Sequence, residues 1–178
     1  MRTLLLTIAL LLTGMAGIQA QDKPGQKTDT IDTLPYLKYP RLPAFNILLT
    51  DSSTIFNTYN IPKGRPVMLM LFDPDCSHCK DEMKALLRGM DSLKDVRIYL
   101  VTTVHSISAI KQFYNDFHLA DYQQIEAIGR DYEFFFVTYY GAKFVPDIVL
   151  YDENKQLIQL YERHATVANL YNSLHPQH

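Results

Sequence analysis

Six consecutive apolar residues, Val67-Met68-Leu69-Met70-Leu71-Phe72, stop abruptly at Asp73-Pro74-Asp75, and a helical repeat begins directly afterwards. An apolar run with no polar alternation is the pattern of a strand covered on both faces. Such a strand needs packing layers above and below it, which restricts the chain to a layered α/β arrangement. Past the break, Met83, Leu86, Leu87 and Met90 recur at helical spacing and predict a helix from Cys76 to about Met90.

The rest of the chain fits around that strand. Phe45–Leu49 and Thr54–Phe56 flank Asp51-Ser52-Ser53 as a short hairpin, and Lys63-Gly64-Arg65-Pro66 is a turn. Val96–Val104 reads as the next strand and Ser106–Phe117 as a helix, followed by an aromatic helix over Tyr132–Tyr140 that closes at Gly141. Asp147–Tyr151 and Leu157–Tyr161 form a second hairpin, and a helix capped by Thr166 runs to about Leu174. The expected order is β-α-β-α, a further helix, then β-β-α, which makes a central sheet with helices on both faces. In the aromatic helix, Tyr132, Phe134, Phe135, Phe136, Tyr139 and Tyr140 point in too many directions for one core face. We read it as wedged between the sheet and the segment before it, with a docking surface as the alternative.

The first twenty residues have the pattern of a secretory signal peptide. Arg2 precedes the apolar stretch Leu4–Leu12, and small residues lead to Ala20 before the polar Gln21-Asp22-Lys23. The expectation is a soluble periplasmic or extracellular protein, with an uncleaved anchor as the alternative. Residues 21–43, with Pro24, Pro35, Pro40 and Pro43, read as a polar linker or N-terminal arm, and residues 44–178 as the folded domain. A net charge of −2 gives no basic face for a nucleic-acid partner.

Export changes the meaning of the cysteines. Structural staples in exported domains use several cysteines far apart, whereas this chain has two, Cys76 and Cys79, three positions apart. A loop that short removes little entropy from the unfolded chain when closed, so chemistry is the better reading. Residues three apart on a helix share a face, close enough to make and break a disulfide within one fold. Cys76 falls where unpaired N–H groups and the helix dipole stabilise an anion, while Asp73 and Asp75 act in the opposite sense. Cys79, one turn in, is the shielded partner. His78, between them, is placed to donate to the Cys76 sulfur, and Glu82 to take the proton that Cys79 must lose. Their bland alternatives are a solvated histidine and a solvated helix charge.

Residues 44–170 resemble bacterial exported thioredoxin-like thiol–disulfide oxidoreductases of the TlpA/ResA type. The likeness rests on the Phe45–Phe56 hairpin, Lys63-Gly64-Arg65-Pro66, Phe72-x-Pro74-x-Cys76-x-x-Cys79, and Gly141-x-x-x-Val145-Pro146 before a hairpin. It implies a thioredoxin-like fold with Cys76 as nucleophile and Cys79 as resolving cysteine. It also implies a cis Pro146 beside the sulfurs and a Val145 backbone that meets the client. The implied partners are disulfide- or thiol-bearing client proteins and a membrane-embedded electron donor. The expected protein is a monomer with no cofactor beyond its own Cys76–Cys79 disulfide and no metal. Reduction of client disulfides is the expected direction, although His78 leans towards an oxidant or isomerase. Two departures stand out: Asp75 replaces the aromatic residue usual before the first cysteine, and Met70 fills the strand position where thioredoxin buries an acid.

Two other functions use the same cysteines. A thiol-dependent peroxidase would carry a threonine ahead of Cys76 to orient peroxide, and Phe72-Asp73 stand there instead. A Cu(I) carrier would use the soft thiolates. Zinc would need further ligands, and His105, His118 and His164 read as scattered surface or cap residues.

Overall fold

The computed structural model describes residues 34–104 and 106–176, so the expected leader, the start of the arm and His105 lie outside the described residues. In chain order the elements are α1 (Pro35–Lys38), β1 (Asn46–Leu49), β2 (Ile55–Asn57), β3 (Val67–Leu71), α2 (Ser77–Arg88), β4 (Arg97–Thr102), α3 (Ile107–Asp116), β5 (Ile125–Arg130), α4 (Phe135–Tyr140), β6 (Asp147–Tyr151), β7 (Leu157–Glu162) and α5 (Val167–Leu174).

All seven strands join one mixed sheet in the order β2-β1-β5-β4-β3-β6-β7. Strand β3 pairs in parallel with β4 and antiparallel with β6, and all five of its residues are buried. This double pairing and double burial is why its sequence carries no polar alternation. Met68 and Met70 face one core layer with Met83, Leu86, Ile110, Phe113 and Leu170, beneath α2, α3 and α5. Val67, Leu69 and Leu71 face the other, with Phe45, Ile47, Phe136 and Tyr140, on the α4 side. The expected sheet with helices on both faces is therefore present.

One strand was missing from the sequence reading. The segment β5 pairs with β4 on one side and β1 on the other. Its sequence, Ile125-Glu126-Ala127-Ile128-Gly129-Arg130, holds three residues that disfavour strands, and only its neighbours make it one. Gly129 is required by close approach, since a Cβ there would collide with the Leu48 backbone oxygen.

Helix α4 begins later than the aromatic run does. Phe134 is left-handed at φ 55°, and the buried Asp131 carboxylate accepts the Phe136 N–H at 2.7 Å to fix the entry. Phe136 and Tyr140 enter the core, and Phe135 stacks on Phe45 at 4.9 Å between centroids. The Tyr139 hydroxyl donates to the Tyr39 carbonyl at 2.8 Å and Tyr140 meets Tyr36, so the helix is covered by the N-terminal segment rather than by the segment directly before it, which was the expectation. Within the segment read as a linker or arm, residues 34–42 pack on the domain. Helix α1 lies against α4, and Arg41 bridges to Gln156.

Candidate active site

The antiparallel pairing of β3 with β6 decides where the site lies. Leu71, the last residue of β3, is opposite Asp147, the first of β6. The residues after β3 and those before β6 therefore meet at one end of the sheet. After β3 the Asp73 side chain accepts the Asp75 N–H at 2.8 Å, and its carbonyl accepts the Cys76 N–H at 3.2 Å. This tight turn, with Pro74 at a position that needs no donor, hands the chain straight to α2.

Cys76 is the N-cap residue of α2 rather than a member of its first turn, with extended backbone (φ −73°, ψ 122°). It is partly exposed, and the N–H groups of the first turn are left without helical partners. Cys79 is fully buried, and its sulfur accepts the Asp73 N–H at 3.4 Å. Burial above all pushes the Cys79 thiol up to about 12, with the Asp73 N–H opposing and the neighbouring Cys76 adding to the rise. The two sulfurs thus differ sharply in access and in readiness to ionise. Met70, where thioredoxin buries an acid, is enclosed entirely in the apolar layer under α2.

Opposite, the Val145–Pro146 peptide bond is cis. The Val145 carbonyl oxygen lies 4.0 Å from the Cys76 sulfur, at the limit of a weak thiol contact. The backbone of Val145 is therefore the wall that faces the exposed sulfur.

His78 takes the solvated alternative of its sequence reading, and Glu82 departs from its own solvated alternative. His78 is exposed and makes no hydrogen bond to Cys76; a side chain at this first-turn position projects outward. It instead borders a shallow pocket of about 200 Å³ with Phe144, Val145 and Arg163. Glu82 is buried, not solvated, and its carboxylate accepts the Ala165 N–H at 3.1 Å while pairing with His164 Nδ1 at 2.5 Å. His164, read from the sequence as a singleton, is thus a partner of Glu82 across the domain. His118 caps a short 3-10 turn in left-handed conformation and is exposed.

Three residues of the site region were not found from sequence. Asp147 is buried directly after Pro146 and accepts the Arg163 N–H at 3.1 Å. Burial first, and the Glu162 charge next among the raising causes, lift its carboxyl to about 6 against the opposing Arg163 N–H. Arg163 is left-handed at φ 69°, and its guanidinium carbon lies 3.7 Å from the centroid of the half-exposed Phe144 ring. Phe144 was legible as an aromatic neighbour of Val145-Pro146. Nothing in the local sequence marks a contact between positions 144 and 163. A larger depression, about 630 Å³ between Arg65, Lys94 and Asp121, is at the other end of the sheet and is lined by neither cysteine.

No protein-family model and no curated protein sequence matches the chain. Solved structures do. A secreted disulfide oxidoreductase of Mycobacterium tuberculosis, homologous to Escherichia coli DsbE, is 17% identical with a TM-score of 0.59, over 72% of this chain and 92% of its own. DsbF of Mycobacterium tuberculosis, solved in mixed oxidised and reduced forms, is 16% identical with a TM-score of 0.60, over 72% and 91%. The thioredoxin domain of a thiol–disulfide oxidoreductase from Bacteroides vulgatus is 18% identical with a TM-score of 0.59, over 75% and 91%. Likeness at such identities concerns the fold: the described domain is thioredoxin-like, of the kind found in thiol–disulfide oxidoreductases.

Proposed function

We propose that the chain is an exported thiol–disulfide oxidoreductase that reduces disulfides of client proteins, with Cys76 attacking and Cys79 resolving. The observation that carries this reading is the asymmetry of the pair. Cys76 is partly exposed at the α2 N-terminus, while Cys79 is sealed and its thiol raised to about 12. A thiolate is the nucleophile in exchange, so the accessible sulfur is the one that attacks.

The Cys76 thiolate attacks one sulfur of a client disulfide, and the other client sulfur leaves as a thiolate. Cys79 then loses its proton and attacks the Cys76 sulfur of the mixed disulfide. The second client thiolate is released and the Cys76–Cys79 disulfide remains. Two electrons pass to the client, and a membrane-embedded dithiol donor returns them to the protein. Glu82, a buried carboxylate on the same helix, is the proposed acceptor of the Cys79 proton. Export is supported by the N-terminal pattern from Arg2 to Ala20 and by the likeness to a secreted oxidoreductase.

The test is trapping. Cys79→Ala is expected to accumulate mixed disulfides with client proteins, and Cys76→Ala to accumulate none. Faster alkylation of Cys79 than of Cys76 in the reduced protein would reverse the assignment.

A further inference from the structure

The pocket at Val145 is bordered by His78, Phe144, Val145 and Arg163, so its rim holds two basic side chains and no carboxylate. Val145 belongs both to this pocket and to the wall that faces the Cys76 sulfur. A client held against Val145 therefore passes over the pocket within a residue or two of its reacting cysteine, since an extended chain advances about 3.3 Å per residue.

Arg163 is built into this position. A non-glycine residue at positive φ carries a backbone cost of about 1 kcal/mol or more, and such residues persist only where their surroundings over-determine them. Here the surroundings do so twice. The buried Asp147 carboxyl takes the Arg163 N–H, and the guanidinium carbon sits 3.7 Å from the centroid of the Phe144 ring. Among the described residues its guanidinium makes no salt bridge; the nearby acids are Asp147, committed to the backbone N–H, and the adjacent Glu162. The ring contact uses none of the guanidinium N–H donors, and these are the groups that grip a carboxylate with two parallel hydrogen bonds.

We propose that Arg163, held over Phe144 at the mouth of the pocket at Val145, selects client segments that carry Asp or Glu within two positions of the cysteine under attack. This rests on the oxidoreductase reading and specifies its substrate class. His78 across the pocket supplies a second donor to the same carboxylate. The half-exposed Phe144 and Val145 provide the apolar floor on which the client backbone lies.

The experiment uses reduced protein and synthetic peptides with one intramolecular disulfide, identical except for Asp, Asn or Lys two positions from a cysteine. For the wild type, the rate constant on the Asp peptide is expected to exceed that on the Lys peptide about tenfold, with the Asn peptide between them. In Arg163→Gln the ratio is expected to fall within twofold of unity, and in Arg163→Glu to invert. A ratio of two rates on one preparation cancels the folded fraction, so partial unfolding of a variant does not obscure the result. The preference should also shrink as salt rises from low to physiological strength. Equal wild-type rates on the three peptides overturn the proposal, as does a preference that survives Arg163→Gln. Glutathione disulfide is the control for a small carboxylate ligand. If Arg163→Gln slows it tenfold and leaves the peptide ratio unchanged, the pocket serves that ligand and not a client segment. Wild-type turnover of 2-hydroxyethyl disulfide separates the two levels. Turnover without peptide preference removes only this inference, and absence of turnover on every disulfide overturns the oxidoreductase reading and this inference with it.

Discussion

The carboxylate of Glu82 is bonded at 2.5 Å to Nδ1 of His164, 82 positions further along the chain. The second turn of α2, which carries Glu82 and follows the turn that holds Cys79, is thereby fastened to the loop between β7 and α5. The other carboxylate oxygen takes the Ala165 N–H, so Glu82 satisfies a buried backbone donor. Glu82→Ala leaves that N–H without an acceptor and is expected to lower stability by about 1–3 kcal/mol. His164→Ala removes an exposed partner and should cost less. Chemical denaturation of both variants at pH 7 checks the ranking, and a larger loss for His164→Ala would contradict it.

Asp147 predicts a pH dependence of stability. Its folded value of about 6 lies above the ordinary 3.8, so the fold favours the neutral acid. The stability from this group is whole below about pH 4 and is lost as pH rises through 6. A difference of that size corresponds to about 3 kcal/mol at most. Asp147→Asn keeps an acceptor for the Arg163 N–H and cannot ionise. Between pH 4 and 7.5 the wild type should lose about 2–3 kcal/mol relative to this variant in urea denaturation. Parallel curves would show that Asp147 ionises in the fold without penalty.

Cys79 predicts the ultraviolet titration of the reduced protein. With its thiol at about 12, Cys76→Ser should show no thiolate absorbance step across neutral and mildly alkaline pH. A step near the ordinary value of 9.0 would mean that Cys79 is less enclosed than its surroundings indicate.

His78 makes no hydrogen bond to Cys76. One charge-assisted bond to the thiolate would be worth about 1.5–3 kcal/mol, or some 30–60 mV in a two-electron couple. Without it, His78→Ala is expected to keep the Cys76–Cys79 reduction potential within about 30 mV of wild type in a glutathione redox titration. A larger drop would show that the ring turns to the sulfur in solution.

Local periodicity was enough to locate the scaffold of the site. The unbroken apolar run gave β3, the turn residues gave its end, and the spacing of Met83, Leu86 and Met90 gave α2. The pair Cys76 and Cys79 was legible because it sits on that boundary. What escaped was non-local. Strand β5 has poor strand formers and exists because two neighbours pair with it. The left-handed conformations of Phe134 and Arg163 contradict their residue types, so only tertiary contacts could impose them. Glu82 was visible as a charge near the motif, but its burial depends on His164 and Ala165, which no spacing rule connects to it.

The short segment ahead of β1 matters for how copies of the protein treat one another. Strand β7 is the last strand on its side of the sheet, and the Pro40 carbonyl takes the Leu157 N–H at its start while Leu42 donates to the Lys155 carbonyl at 3.0 Å. These contacts close part of an edge whose free N–H and C=O groups would otherwise be a template for another strand. A chain begun at residue 44, where composition alone puts the domain boundary, keeps both cysteines and uncovers that edge. It is expected to retain disulfide chemistry and to self-associate with rising concentration, which sedimentation velocity would register against the chain that keeps residues 34–43.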